Sequence, residues 1–503
     1  MDIYPYYKPL RNYLRQCPLL DSLAVVRAYI QYLHFNQPVP RDIEFPKFRE
    51  KEVWTKKGFF PWELELLAKE LILHAQPRGK YDLRKWHDFA AAINRIKNLE
   101  DSISGESINQ DNVLHELSRI AHRQFHWQHP PDAGMISRYY RIFAREGLAE
   151  LIERKIGLEV KDLYTIGCMT CGGFLKSTYL DLVQPPAIPN LSSESFKRFI
   201  ERFAIDIRTL RNEIEKSQKY DENFAYAFNP LRTYPIILTN RKSRPNLICP
   251  LPTLLFNRFT SGIYYEIHDE KGFSDAFGQS FQLYVGEAAK RIDDLSGNSF
   301  QILGEKPYES GQKHSIDWII SDDSAHIFLE CKTKRMRLGS KQSLEMKGVL
   351  EDDISKLASF VVQSYRTLDD ARHGRYPHWS PDDKPIYPIV VTLEDWYLFG
   401  IQVRPYLDTY IRKALADSGI EQNLFELFPY TVMSVRDLEV SLQVMGRLDI
   451  QTIMRKKYSK DHATWNIVPM IQHEFPNEYR ECMVDLFPED REEIFKVSSA
   501  AWV

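Results

Sequence analysis

The sequence predicts an α+β protein of several domains, with a helical N-terminal region, an α/β core and a C-terminal helical segment. At 503 residues, the chain is long enough for two or three domains with cores of their own. Its composition, 43% apolar and 27% charged, is typical of a folded protein. Apolar residues recur at helical spacing through the first part of the chain, whereas β-prone runs alternate with helices in the second part.

The first two domains are predicted from this change in residue pattern. Residues 1–225 are predicted to form a helical domain, because PWELELLAKELILHA, WHDFAAAINRIKNL and RYYRIFAREGLAELIERKI carry apolar residues three and four positions apart. Residues 226–270 are predicted to form a β-rich connector. The β-prone runs TYPIILTN, NLICPLPTLLFN and SGIYYEI are separated there by Asn, Arg, Pro and Gly.

The core, residues 271–402, reads as helix, three strands, helix, strand. Its helices are predicted in SDAFGQSFQLYVGEAAKRI and VLEDDISKLASFVVQSYRTLDDARHG, which both carry an apolar stripe. SFQILGEK is predicted to be the first strand, IDWIISDDSAHIFLECK to hold the next two, and IYPIVVTL to be the closing, buried strand. Residues 403–503 return to a mostly helical pattern and are predicted to form a C-terminal extension.

Two acids lie inside the most strand-prone stretch of the core. If SDDSA is a turn with a four-residue loop, Ser321 lies opposite His326, and the same register places Asp317 opposite Glu330 with Cβ atoms about 5 Å apart. Like charges at this distance repel unless a cation lies between them, and Mg²⁺ is commonly held by one or two carboxylates. Strand alternation puts Lys332 beside Glu330, where its ammonium can act on an attacking water. A slip of one residue would break this pairing, and a solvent-facing edge hairpin is the alternative.

With Asp317 and the run Glu330-Cys331-Lys332, this order of elements resembles the PD-(D/E)XK nuclease superfamily, which includes restriction endonucleases and phage-defence nucleases. The resemblance covers about residues 271 to 400 and implies a restriction-endonuclease-like αβββαβ core. It further implies that Asp317, Glu330 and the main-chain carbonyl of Cys331 bind Mg²⁺ or Mn²⁺, and that Lys332 is the catalytic lysine.

The first helix of many family members supplies a further glutamate near the site. Gln282 stands at the corresponding place here and is the preferred candidate for that catalytic position, with Glu287 as the alternative. On the second helix, Gln363 and Tyr365 fall where some relatives have a glutamine and a tyrosine near the site.

A basic segment follows the Glu-x-Lys motif. Residues 331–347 hold six basic side chains against one acid, Glu345, and we expect this excess at the mouth of the site to meet a phosphate backbone. The predicted nucleic-acid-binding residues are Lys313, Lys334, Arg335, Arg337 and Lys341. A solvated loop is the alternative reading of the same residues.

Several other classes of function find no support in the sequence. The net charge of −3 indicates no overall basic field, and no run reaches the about 18 apolar residues of a membrane span. The start, MDIYPYYKPL, lacks the pattern of a signal peptide, and the six cysteines are scattered, so a cytoplasmic location is expected. No glycine-rich phosphate loop and no Gly-x-Ser-x-Gly motif is present.

The sequence therefore predicts a Mg²⁺-dependent endonuclease that hydrolyses phosphodiester bonds, with DNA favoured and bacterial anti-phage defence as the role that family analogy suggests. The alternatives are an RNA-cleaving nuclease on the same core and a catalytically silent fold that binds nucleic acid or a partner. We expect no membrane contact. A homodimer and a regulatory protein partner at the helical N-terminal domain are further expectations.

Overall fold

The computed structural model describes residues 2–45, 58–108, 112–181, 191–241, 244–297, 299–337, 341, 347–398, 400, 403–421 and 423–495. It divides into two compact units, the first Met1–Phe273 with Phe487–Val503 and the second Ser274–Leu486. Helices and small mixed sheets make up both units, which confirms the predicted α+β, multi-domain class. Among the described residues, no helix is both long enough and apolar enough to cross a membrane.

The first unit is mostly helical, as predicted for its N-terminal part. Its helices are α1 (Tyr4–Leu14), α2 (Leu19–His34), α3 (Pro61–His74), α4 (Trp86–Ser107), α5 (Val113–Gln124), α6 (Ala133–Phe143), α7 (Leu148–Ile156), α8 (Val160–Lys176), α9 (Ser193–Phe203), α10 (Ile207–Ser217), α11 (Pro252–Phe259), α12 (Tyr264–Ile267) and, near the C-terminus, α21 (Pro488–Phe495). Side-chain caps fix several starts. The carboxylate of Asp206, for example, accepts from the N–H groups of Arg208 and Thr209 at the start of α10.

A four-stranded sheet completes the first unit. Its strands are β1 (Leu180–Asp181), β2 (Ala204–Asp206), β3 (Ile236–Arg241) and β4 (Arg244–Ile248), in the order β1-β4-β3-β2. The antiparallel pair β3–β4 comes from the predicted connector, but it lies between strands contributed by the helical region. Residues 226–270 therefore belong to the first unit instead of linking two domains.

Two predicted strands of the connector are partly or wholly helical. In NLICPLPTLLFN the strand ends at Ile248, and α11 begins at Pro252. SGIYYEI forms a 3₁₀ turn (Ser261–Ile263) followed by α12. The buried Glu266 carboxylate on α12 forms ion pairs with Arg202 and Arg258. We attribute the difference to these tertiary contacts, which override the β propensity of the two tyrosines.

The second unit contains the predicted core. Its helices are α13 (Phe273–Ser296), α14 (Lys347–Arg372), α15 (Val403–Ser418), α16 (Leu424–Leu427), α17 (Val435–Met445), α18 (Ile450–Lys457), α19 (Ile467–Glu474) and α20 (Pro476–Cys482). Its strands are β5 (Gln301–Gly304), β6 (Pro307–Tyr308), β7 (Lys313–His314), β8 (Trp318–Ser321), β9 (His326–Lys332), β10 (Ile386–Thr392) and β11 (Thr431–Ser434). The predicted order of one helix, three strands, a helix and a strand is present, with the small β6–β7 hairpin inserted after the first strand.

Five of these strands form one mixed sheet in the order β11-β10-β9-β8-β5. The pairs β5–β8 and β8–β9 are antiparallel, whereas β9–β10 and β10–β11 are parallel. β11 comes from the predicted C-terminal extension, so residues 403–486 are part of this unit and not an appendage. A parallel strand joins its neighbour through a long crossover and not through a tight turn, so no local turn signal in the sequence predicts it.

The two faces of this sheet are distinguished by alternation along β8 and β9. Ile319 and Phe328 share a core cluster with Leu357 and Val361 of α14. Trp318 points to the opposite face and lies against Gly286 of α13, where a Cβ atom would come within 2.0 Å of the indole ring. Because side chains alternate, the face that carries Ile319 and Phe328 also carries Asp317, Glu330 and Lys332.

Candidate functional site

The two predicted acids lie side by side at one edge of the β8–β9 pair. Trp318 pairs with Leu329 and Ser321 with His326, which confirms the predicted register. Asp317 directly precedes β8, and the same register carried one residue further places it opposite Glu330. The Asp317 side chain reaches across to β9, where its Oδ2 accepts a hydrogen bond from the Cys331 main-chain N–H at 2.6 Å.

The backbone before Asp317 is tied to α14 through Tyr376, a residue of the segment that follows this helix. The N–H of Ile316 donates to the Tyr376 hydroxyl at 3.0 Å, and that hydroxyl donates to the main-chain carbonyl of Thr367 at 2.9 Å. Tyr376 is 4% exposed, so both bonds are shielded from water. This arrangement fixes the strand position from which the Asp317 carboxylate projects.

Lys332 completes the motif on the same face. Its Nζ donates to Glu330 Oε1 at 2.6 Å and to Gln363 Oε1 at 3.3 Å, and it lies 5.2 Å from the centre of the Phe360 ring. Gln363 and Phe360 are both on α14. The helix thus holds the ammonium beside the carboxylate that the sequence pairs with it.

A third acid, Glu305, belongs to the same site and was not predicted from the sequence. Gly304 of β5 pairs with Trp318, and the next step of that register places Glu305 opposite Asp317. Glu305 Oε2 accepts a hydrogen bond from Gln282 Nε2 at 3.1 Å, and its Oε1 lies 3.1 Å from His314 Nδ1. Three carboxylates therefore line up across three neighbouring strands. Because 13 residues separate Gly304 from Trp318, no tight turn in the sequence could have fixed this register.

The electrostatics of the site are unfavourable without a further cation. Burial raises the pKa of Asp317 to about 7, and the charges of Glu330 and Glu305 add to the effect. Burial also raises the pKa of Glu330, although the neighbouring Lys332 ammonium opposes that shift. Lys332 supplies one positive charge against three carboxylates, so the site carries an excess of negative charge where little water can stabilise it.

Gln282, the preferred first-helix candidate, reaches this site through Glu305. Its main-chain carbonyl also accepts a hydrogen bond from Trp318 Nε1 at 2.9 Å, which ties α13 to β8. Tyr365, in contrast, is fully buried and donates to the carbonyl of Phe428 at 2.8 Å, away from the acids. Of the two predicted α14 residues, the structure brings only Gln363 into contact with Lys332.

The predicted nucleic-acid-binding residues all lie near acids of their own chain. Lys313 lies 3.3 Å from Asp370, and Arg337 lies 2.9 Å from Asp353. The remaining ion pairs are Lys334–Asp353 at 3.8 Å, Arg335–Glu394 at 3.1 Å and Lys341–Glu394 at 3.7 Å. Arg335 is only 6% exposed. The positive charge on offer to a polyanion is therefore smaller than the basic run suggests, because acids distant in sequence neutralise it.

Comparison with known proteins adds no functional information. Neither a protein-family model nor a curated protein matches this sequence. Among solved structures, the chain is similar to protein VC1899 from Vibrio cholerae at 13% sequence identity and a TM-score of 0.18, covering 63% of this chain and 57% of that one. The chain thus spans a little over half the length of that protein, and so low a TM-score carries no argument about fold or function.

Proposed function

We propose that this protein is a metal-dependent nuclease with a restriction-endonuclease-like core, and that it hydrolyses phosphodiester bonds at the site formed by Asp317, Glu330 and Lys332. The observation that carries the proposal is the set of three carboxylates aligned across β5, β8 and β9 beside one ammonium. The order of helices and strands around them supports the resemblance to the PD-(D/E)XK nuclease superfamily.

The residues present fit a divalent cation. Glu330 is buried and Asp317 is half-buried. Desolvation is the main cause of their raised pKa values and neighbouring carboxylates add to it, so a hard divalent ion with oxygen ligands relieves both effects. Asp317, Glu330 and the Cys331 carbonyl would hold Mg²⁺ or Mn²⁺, and Glu305 adds a third carboxylate nearby. When bound, such an ion lowers the pKa of a ligated water and offsets the charge that develops on the phosphate.

The protein's own groups supply positioning and charge. The hydrogen bond from the Cys331 N–H orients the Asp317 carboxylate, and the Gln363 amide oxygen and Phe360 ring hold the Lys332 ammonium in place. An ammonium fixed at this point can orient a water molecule and stabilise an anionic transition state, because it needs no reorganisation during the reaction. The buried setting strengthens these interactions relative to water.

Substrate and biological role rest on the family resemblance. DNA is the favoured substrate, RNA is the alternative, and anti-phage defence is the role that we propose by analogy. All six cysteines are free thiols, which fits action in a reducing cytoplasm. We also propose that the protein forms a homodimer and that the helical part of the first unit binds a regulatory partner.

The test is a nuclease assay on the full chain. Purified protein is incubated with duplex DNA, single-stranded DNA and total RNA, with Mg²⁺, with Mn²⁺ and with a chelator. We expect metal-dependent cleavage of DNA, lost in Lys332→Ala by a factor of about 100 or more because the positioned charge is gone.

Lys290→Ala is the matched control. Lys290 is an exposed lysine on α13 that lies 5.6 Å from the Trp318 ring, on the face of the sheet opposite to Lys332. We expect this variant to cleave as the wild type does. A folded Lys332→Ala protein with unchanged cleavage would refute catalysis at this site, and degradation of RNA alone would overturn the choice of DNA.

A further inference from the structure

A second group of metal-ligating side chains lies elsewhere in the second unit, where the end of α19 meets the segment that follows α18. His462 belongs to that segment, and His473 and Glu474 end α19. One ligand atom from each of the three residues lies within 4.8 Å of the other two. Glu474 Oε1 is the common partner, at 3.3 Å from His462 Nε2 and 3.0 Å from His473 Nδ1.

We propose that His462, His473 and Glu474 form a Zn²⁺ site that is separate from the nuclease site. Zinc is commonly bound by histidine nitrogen and carboxylate oxygen in a tetrahedron with bonds of about 2.0–2.1 Å, which places ligand atoms about 3.3 Å apart. Both separations to Glu474 Oε1 are close to this spacing. Two imidazoles with one carboxylate favour zinc over Mg²⁺, which prefers oxygen ligands and keeps several waters.

The ligand from the α18–α19 segment is held in place before any metal binds. His462 is 4% exposed, and its Nδ1 lies 3.2 Å from the Ser459 hydroxyl, which leaves Nε2 to face Glu474. The buried Lys457 ammonium donates to the carbonyl of His462 at 3.4 Å and to that of Ala463 at 2.9 Å. Side-chain orientation and backbone position are thus both fixed, as a metal ligand with an outer-shell partner requires.

The two oxygens of the Glu474 carboxylate have different partners, and this arrangement suits metal binding. Glu474 Oε2 lies 2.5 Å from the Lys456 ammonium, so Oε1 alone faces the imidazoles. Trp465 packs edge-on against both histidine rings, with ring centres 4.9 Å and 5.6 Å apart. With three protein ligands, the fourth position of the tetrahedron is left to water, and the ion ties α19 to the preceding segment.

The experiment uses full-length protein without a histidine tag that carries Asp317→Asn and Glu330→Gln, so that the nuclease site does not compete for the ion. Zn²⁺ binding is followed by calorimetry, and Co²⁺ is added as a spectroscopic substitute. We expect one Zn²⁺ per chain and the visible absorption of four-coordinate Co²⁺, which zinc displaces. The same Co²⁺ should quench the fluorescence of Trp465, an effect that Trp465→Phe removes.

Single substitutions then identify the ligands. His473→Ala changes an exposed side chain, so the protein should stay folded. We expect it to weaken Zn²⁺ binding about 100-fold or more, since even the loss of a residue that only hydrogen-bonds to a metal ligand costs about 10–100-fold in affinity. Ser459→Ala should weaken binding by about 10-fold because it removes the partner of Nδ1. His373→Ala is the matched control, an exposed histidine 3.4 Å from an acid, Asp369, and it should bind zinc as the parent does.

Two results would overturn the proposal. One is the absence of stoichiometric Zn²⁺ binding in the parent protein at micromolar metal. The other is Zn²⁺ binding in folded His473→Ala that equals the binding in His373→Ala.

Discussion

Replacing Asp317 by asparagine should stabilise the metal-free protein while it abolishes cleavage. The native structure raises the pKa of this carboxyl from 3.8 to about 7, so at pH 8 the folded state must hold an ionised group that its surroundings disfavour. A difference of about 3 pKa units at about 1.4 kcal/mol each corresponds to roughly 4 kcal/mol. Since Asp317 is partly exposed, we expect a gain of about 2–4 kcal/mol in the free energy of unfolding at pH 8.

The direction of the pH dependence follows from proton binding. Between the unfolded pKa of Asp317, near 4, and its folded pKa, near 7, the native state holds a proton that the unfolded state has released. The wild type therefore loses stability as the pH rises through this window, and the asparagine variant does not. We expect the gain from Asp317→Asn to be absent at pH 4 and complete at pH 8.

The assay is denaturant unfolding in a chelating buffer at several pH values, repeated with excess Mg²⁺. Asp323→Asn, at an exposed position in the turn of the same hairpin, is the control and should change stability by less than about 0.5 kcal/mol. Mg²⁺ at 100 times its dissociation constant should stabilise the wild type by about 2.7 kcal/mol and leave Asp317→Asn unaffected. An asparagine variant that is less stable than the wild type at pH 8 without metal would refute the electrostatic reasoning.

Three further predictions concern packing, pH and the third acid. Gly286→Ala should destabilise the second unit by about 1–3 kcal/mol in denaturant unfolding, because the added Cβ would meet the Trp318 ring at 2.0 Å. Gly278→Ala on the same helix meets nothing within 4 Å and should stabilise by up to about 1 kcal/mol; equal effects of the two would contradict the packing account. Burial lowers the pKa of His34 to about 4, so between pH 6.5 and 4 the unfolded state binds a proton that the folded state does not. The free energy of unfolding of the wild type should therefore fall by about 3 kcal/mol as the pH falls through that range. His34→Gln should flatten this dependence in denaturant titrations, and an unchanged pH slope would show that His34 does not cause it. Glu305→Gln should weaken Mg²⁺ binding, so that half-maximal cleavage and half-maximal thermal stabilisation need roughly 10-fold more Mg²⁺. An unchanged Mg²⁺ titration would show that Glu305 does not contribute to the site.

The sequence by itself determined the local geometry of the β8–β9 hairpin. A four-residue turn fixes which residues of adjacent strands face each other, so the SDDSA turn already implies the pairing of Ser321 with His326 and the approach of Asp317 to Glu330. The helices α13 and α14 could be predicted equally well, because the apolar stripe of each is a property of one contiguous segment. These local features were therefore open to prediction, whereas SGIYYEI, predicted as a strand, is helical because tertiary contacts override its local propensity.

Only the tertiary structure decided which distant groups complete or alter that local pattern. Glu305 reaches the site through the β5–β8 register, and Asp353 and Glu394 neutralise the basic run that the sequence alone leaves free. The meeting of His462 with the end of α19 is likewise set by how two helices pack. These contacts depend on crossovers and helix packing, which many distant residues determine together and which no single turn or spacing encodes.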